Sequence, residues 1–171
     1  MRIRWPILCR GTATPDWTDE SAPLWTVLAW GTLAGLLLIA LLTFGDYGVN
    51  SDEIAHFTNG PFLLDYYRLL IAEGFSPATR TYYQASTYAY DMFAYSGLVD
   101  MVTALACRVS PLSPIATQHL IYALIGIFGG IGCWKLARWL RGPRTAFLAI
   151  LMLALIPAYY GHLFNNPKDI P

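Results

Sequence analysis

The stretch Leu24–Phe44, LWTVLAWGTLAGLLLIALLTF, decides the fold. It carries no charged side chain over a length that matches the about 20 residues needed to cross roughly 30 Å of hydrocarbon. The rest of the 171-residue chain is of the same kind: 56% of residues are apolar and 13% charged, against roughly 25% charged in an average globular protein. The formal net charge is zero, and no basic patch with interleaved aromatics is present, which excludes a nucleic-acid partner. The composition predicts an all-α integral membrane protein.

Two further segments read as spans. One runs from about Ile115 to Trp134, with His119 as its only ionisable residue, and the other from about Thr145 to Tyr160, with Pro157 near its end. The link after the second span holds Lys135, Arg138, Arg141 and Arg144 with no acid, and basic residues mark the cytoplasmic side. Arg2, Arg4 and Arg10 precede the first span. The expected topology is therefore a cytoplasmic N-terminus, three spans in the cell (inner) membrane, an outer loop over 46–108 and an outer tail from Gly161. The outer loop holds seven acids against three arginines.

Within that loop, the fairly apolar 92–109 reads either as a further span, which would flip everything after it, or as a helix lying on the membrane surface. Asp100 and Arg108 and the helical spacing of Leu98, Met101, Val102 and Leu105 favour the surface helix. A second surface helix is expected from Ser51 to Ala72, with Ser51 as its cap, Asp52 and Glu53 in its first turn, and a break at Gly60-Pro61. Gly31-xxx-Gly35 and Gly126-xxx-Gly130 predict close helix approach. Cys9, Cys107 and Cys133 lack ligand spacing and read as small apolar filler. The chain ends in Asp169-Ile170-Pro171 directly after a polar turn, so residues 1–171 are expected to be the N-terminal part of a longer membrane domain.

Chemistry is expected at the outer face. Asp52-Glu53 follows the first span, and adjacent helical residues point about 100° apart, which gives the two carboxylates different tasks. His162, Asn165, Asn166, Lys168 and Asp169 gather after the third span. Lys168 is a candidate to neutralise a phosphate, and Asp169 to hold a divalent cation or position a hydroxyl. Arg68 and Arg80 are alternative phosphate partners. Tyr82, Tyr83, Tyr88, Tyr90 and Tyr95 fit either sugar stacking or interfacial anchoring. His56 and His162 show no metal-ligand spacing.

The run Asn50-Ser51-Asp52-Glu53-Ile54-Ala55-His56 resembles the Asp-Glu motif in the first outer loop of GT-C-type glycosyltransferases, which include the protein O-mannosyltransferases and the aminoarabinose transferases. Gln118–Leu124, followed by Trp134-Lys135-Leu136-Ala137-Arg138-Trp139-Leu140, resembles their second span and its basic exit. Gly161-His162-Leu163-Phe164-Asn165-Asn166-Pro167-Lys168-Asp169-Ile170-Pro171 is similar to a Gly-His…Asn-Pro-Lys-Asp-Ile-Pro pattern in a bacterial branch. The resemblance implies transfer of a sugar from a polyprenyl-phosphate carrier to a hydroxyl acceptor at the outer membrane face, with inversion. It implies Asp52 as general base, Asp169 as the second acidic position, Glu53 and Lys168 as supporting groups, and His162 and Asn166 at the substrate. The family has many more spans, so this part alone is expected to be inactive. The competing expectations are a non-catalytic membrane scaffold and a transporter. Spans almost free of ionisable residues disfavour transport.

Overall fold

The computed structural model describes residues 22–90 and 97–164, with the backbone alone for residues 51, 52 and 85–90. The described residues form seven helices and no strand: α1 (Ala22–Thr43), α2 (Ser51–Glu73), α3 (Pro77–Tyr90), α4 (Leu98–Cys107), α5 (Pro114–Arg141), α6 (Pro143–Leu155) and α7 (Pro157–His162). Two of them, α1 and α5, are long and apolar enough to cross a membrane. At 1.5 Å per residue they reach about 33 Å and about 42 Å. The core helix of a water-soluble domain is mostly buried, whereas the apolar windows of α1 and α5 are only 22% and 33% buried. Leu24, Val27, Trp30, Leu38, Ile39 and Leu42 stand on the outside of α1.

α5 starts and stops on local chemistry. Ser113 Oγ accepts from the Ala116 N–H at 3.2 Å, and Pro114 occupies the first turn, where its missing N–H costs nothing. The helix runs past Trp134, the end expected from hydropathy, to Arg141. Lys135–Arg141 contains no glycine or proline, and Arg138 and Arg141 suit the negative end of the helix dipole. Gly142, at φ 87°, then ends it.

α1, α5 and α6 pack together as a bundle. Its core has two levels. Leu36, Ala40, Ala123, Ile127, Leu163 and Phe164 form one; Ala29, Leu33, Trp134, Ala146 and Ile150 form the other. Alanines 29, 40, 123 and 146 are almost wholly buried, so alanine, as much as glycine, permits the close approach. A Cβ on Gly31 or Gly35 would meet nothing within 4 Å. That pair does not mediate the packing expected of it, whereas Gly130 faces Leu33 and Tyr159.

The third hydrophobic segment is not one helix. It breaks at Ile156, which is extended ahead of Pro157, as residues before proline tend to be. α6 and α7 nevertheless run alongside most of α1. Trp25 meets Phe147 at 5.7 Å between ring centroids, and Thr43 Oγ1 lies 2.7 Å from the Tyr160 hydroxyl. The basic residues sit at the Trp25 end: Arg144 lies over Trp25, and Arg138 reaches Thr26 Oγ1 at 3.3 Å.

At the opposite end α2 packs on α3 and α4, and α4 packs on α5. Two expectations for α2 are corrected. Its cap is Asn50, not Ser51, and Glu53 closes the capping box by accepting the Asn50 N–H at 2.9 Å. The helix also runs unbroken through Gly60-Pro61. Gly60 serves a close crossing instead: a Cβ there would collide with the Asp100 carbonyl oxygen and sit 3.0 Å from the Ala104 Cβ. α4 buries its polar side, Asp100 and Thr103, and exposes Leu98, Val102 and Leu105.

Candidate functional site

A buried polar cluster lies where α2, α4 and the start of α5 meet. Glu53, His56, Asn59, Asp100, Thr103, Thr117, Gln118 and His119 are each at most 8% exposed. Eight polar groups removed from water are costly unless they satisfy one another.

Two carboxylate–imidazole contacts do part of this, while Thr103 Oγ1 and both amide atoms of Gln118 find no hydrogen-bond partner among the described residues. Asp100 faces His56 Nδ1 at 3.0 and 3.1 Å through its two oxygens, and Oδ2 also accepts from Asn59 Nδ2 at 2.6 Å. His56 and Asn59 are one helical turn apart on α2, so a single carboxylate of α4 is gripped by one face of α2. In the second pair, His119 Nε2 lies 2.7 Å from Glu53 Oε1. The contact is short but off the axis of a straight hydrogen bond, since neither atom meets hydrogen-bond alignment. His119 Nδ1 donates to the Phe44 carbonyl at 3.0 Å. One imidazole therefore ties the end of α1 to the first turn of α2.

Tyr122, 2% exposed, stands one turn beyond Gln118 on α5. Around the corner, Tyr47 stacks on Phe164 at 4.2 Å. Burial first, then a hydrogen bond with Tyr160, pushes the Tyr47 phenol up to about 12, so it stays protonated at neutral pH.

Of the residues expected at the site, Glu53 is inside this cluster at 1% exposure. Asp52 belongs to the same first turn of α2, and its side chain lies outside the described residues. Asn166, Lys168 and Asp169 also lie outside them. His162 ends α7 with an exposed side chain. Phe164, the last residue described before that tail, is fully buried at the end of the bundle where α1 finishes. Arg80 and Tyr83 line a separate cleft of about 430 Å³ with Tyr66, Phe75, Ser76 and Thr79. From Asp52 to Tyr66 α2 climbs about 21 Å, so that cleft is remote from the Asp-Glu turn. Among the described residues no three His, Cys, Asp or Glu side chains gather as a cation would need.

Sequence reading missed Asp100, Asn59, His119 and Tyr122 as one constellation. The available signals were an acid in an otherwise apolar helix, a His-xx-Asn turn and a lone histidine at the start of a span. No protein-family model, curated protein or solved structure matches the chain.

Proposed function

We propose that residues 1–171 form the N-terminal part of a GT-C-type membrane glycosyltransferase. It moves a sugar from a polyprenyl-phosphate carrier to a hydroxyl acceptor at the outer face of the inner membrane. The N-terminus is cytoplasmic. α1, α5 and the α6–α7 pair are the three spans, and α2 and α4 rest on the outer surface with Leu98, Val102 and Leu105 turned to lipid.

The observation that carries the proposal is the fixing of the Asp-Glu turn. Glu53, held by the Asn50 N–H and beside His119, sets the start of α2 against the end of α1 and the start of α5. The basic residues Arg138 and Arg144 lie at the other end of the bundle, as a cytoplasmic exit requires. In this reading Asp52 takes the proton from the acceptor hydroxyl as it attacks carbon 1 of the sugar, which raises its nucleophilicity. Lys168 offsets charge on the leaving phosphate, Asp169 provides the second carboxylate, and Asn166 and His162 contact substrate. A divalent cation, if one is used, belongs with Asp169.

Burial of both carboxylate–imidazole pairs within the packing favours one second reading, a non-catalytic scaffold with the same bundle. Vesicles containing the gene product that carries these residues decide between them. With a polyprenyl-phosphate sugar and a hydroxyl acceptor, the enzyme transfers labelled sugar, and a scaffold transfers none.

A further inference from the structure

We propose that Glu53 and His119 form a proton-sharing latch that positions the first turn of α2, and that Glu53 is a positioning residue, not a base. The proposal deepens the glycosyltransferase reading and rests on it for its kinetic test alone.

The proton count follows from the contacts. A carbonyl oxygen can only accept, so the bond to Phe44 places a hydrogen on His119 Nδ1. Glu53 Oε2 accepts from the Asn50 N–H, which leaves Oε1 facing His119 Nε2 at 2.7 Å. Both side chains are 1% exposed. Two bare lone pairs at that distance, away from water, repel. A further proton therefore resides on one of the two, on the ring as an ion pair or on the carboxyl as a neutral pair, across a short but bent contact. Either form is neutral overall, which a buried site needs. The positive form also suits the carbonyl end of α1. The other ionisable groups of this buried region are His56 of α2, Asp100 of α4 and Tyr122 of α5. The first two are engaged with each other.

The latch can be kept without its proton. In Glu53→Gln the amide carbonyl accepts the Asn50 N–H, and the amide N–H donates to a neutral His119 Nε2. A general base cannot survive that change, whereas a positioning contact can. Hydrogen exchange at the Asn50 amide, measured in lipid nanodiscs, reads the latch directly and independently of activity. Glu53→Ala and His119→Ala should each speed it by roughly 10- to 100-fold, the loss of a hydrogen bond to a charged group. Glu53→Gln should restore it to within about threefold of the parent.

Sugar transfer from polyprenyl-phosphate sugar in vesicles gives the second readout. Glu53→Ala should lower kcat with little change in KM for the carrier, and Glu53→Gln should rescue kcat to within about tenfold of the parent. Unchanged Asn50 exchange in both alanine variants overturns the latch. So does a Glu53→Gln enzyme with restored exchange but transfer as low as that of Asp52→Asn, which would make Glu53 a reacting group. If the parent transfers no sugar, the glycosyltransferase reading fails, and the exchange measurements still decide the latch.

Discussion

Removing the Asp100 carboxylate should be the most damaging single change where α2, α4 and the start of α5 meet. Asp100 is 2% exposed. It receives Asn59 Nδ2 at 2.6 Å and faces His56 Nδ1 at 3.0 Å, so one side chain ties α4 to α2. Hydrogen bonds to charged groups contribute about 1.5–3 kcal/mol each, and breaking a buried pair by deleting one partner costs about 3–5 kcal/mol. Asp100→Ala is therefore expected to destabilise by about 3–5 kcal/mol. Asp100→Asn keeps one acceptor oxygen but turns its amide toward a donor, and about half that loss follows. Reversible unfolding in mixed micelles, titrated with denaturing detergent, measures both. The His56→Leu, Asp100→Ala double variant should show a coupling of about 1–3 kcal/mol. A loss below about 1 kcal/mol for Asp100→Ala, with no coupling, would refute the claim that this carboxylate holds the two helices together.

Gly60→Ala should destabilise by about 1–3 kcal/mol, because its Cβ meets the Asp100 backbone. Gly31→Ala, with nothing within 4 Å, should be neutral or stabilising by up to about 1 kcal/mol; equal effects in the same unfolding assay would contradict the crossing. In a background without native cysteines, Arg141→Cys should label only from the cytoplasmic face and Val49→Cys only from the outer face, and the reverse pattern would overturn the topology. Burial pushes the Cys107 thiol up, so its thiolate fraction at neutral pH is low. Its alkylation should be slower than that of a peptide cysteine at pH 7 and should accelerate as pH rises; a peptide-like rate at pH 7 would contradict that burial.

The bundle was legible because lipid solubility leaves a long-range mark on sequence. An uncharged run of about 20 residues around Gly35 matches the thickness of a bilayer, and α1 is one of the two helices long and apolar enough to cross one. What was not legible depended on partners distant in the chain. Gly60-Pro61 reads as a breaker when taken locally, yet Gly60 is where α4 crosses α2. Asp100 looks expensive in an apolar helix until His56, 44 positions earlier, is seen beside it. His119 reads as a stray ionisable residue at the start of a span, and only the fold brings Glu53 to it. The apolar stripe of α4 was predicted from its spacing, but the polar side it buries was not, because periodicity identifies two faces without saying which one meets protein.

The most direct test of the proposed chemistry is sugar transfer by Asp52→Asn, compared with the parent in reconstituted vesicles, with carrier affinity measured alongside. The change keeps size and most hydrogen bonding but removes the ability to accept a proton. If Asp52 is the base, turnover falls by roughly 10²–10⁴ while carrier binding changes little. Near-normal transfer by Asp52→Asn would contradict the assignment of Asp52 as the base.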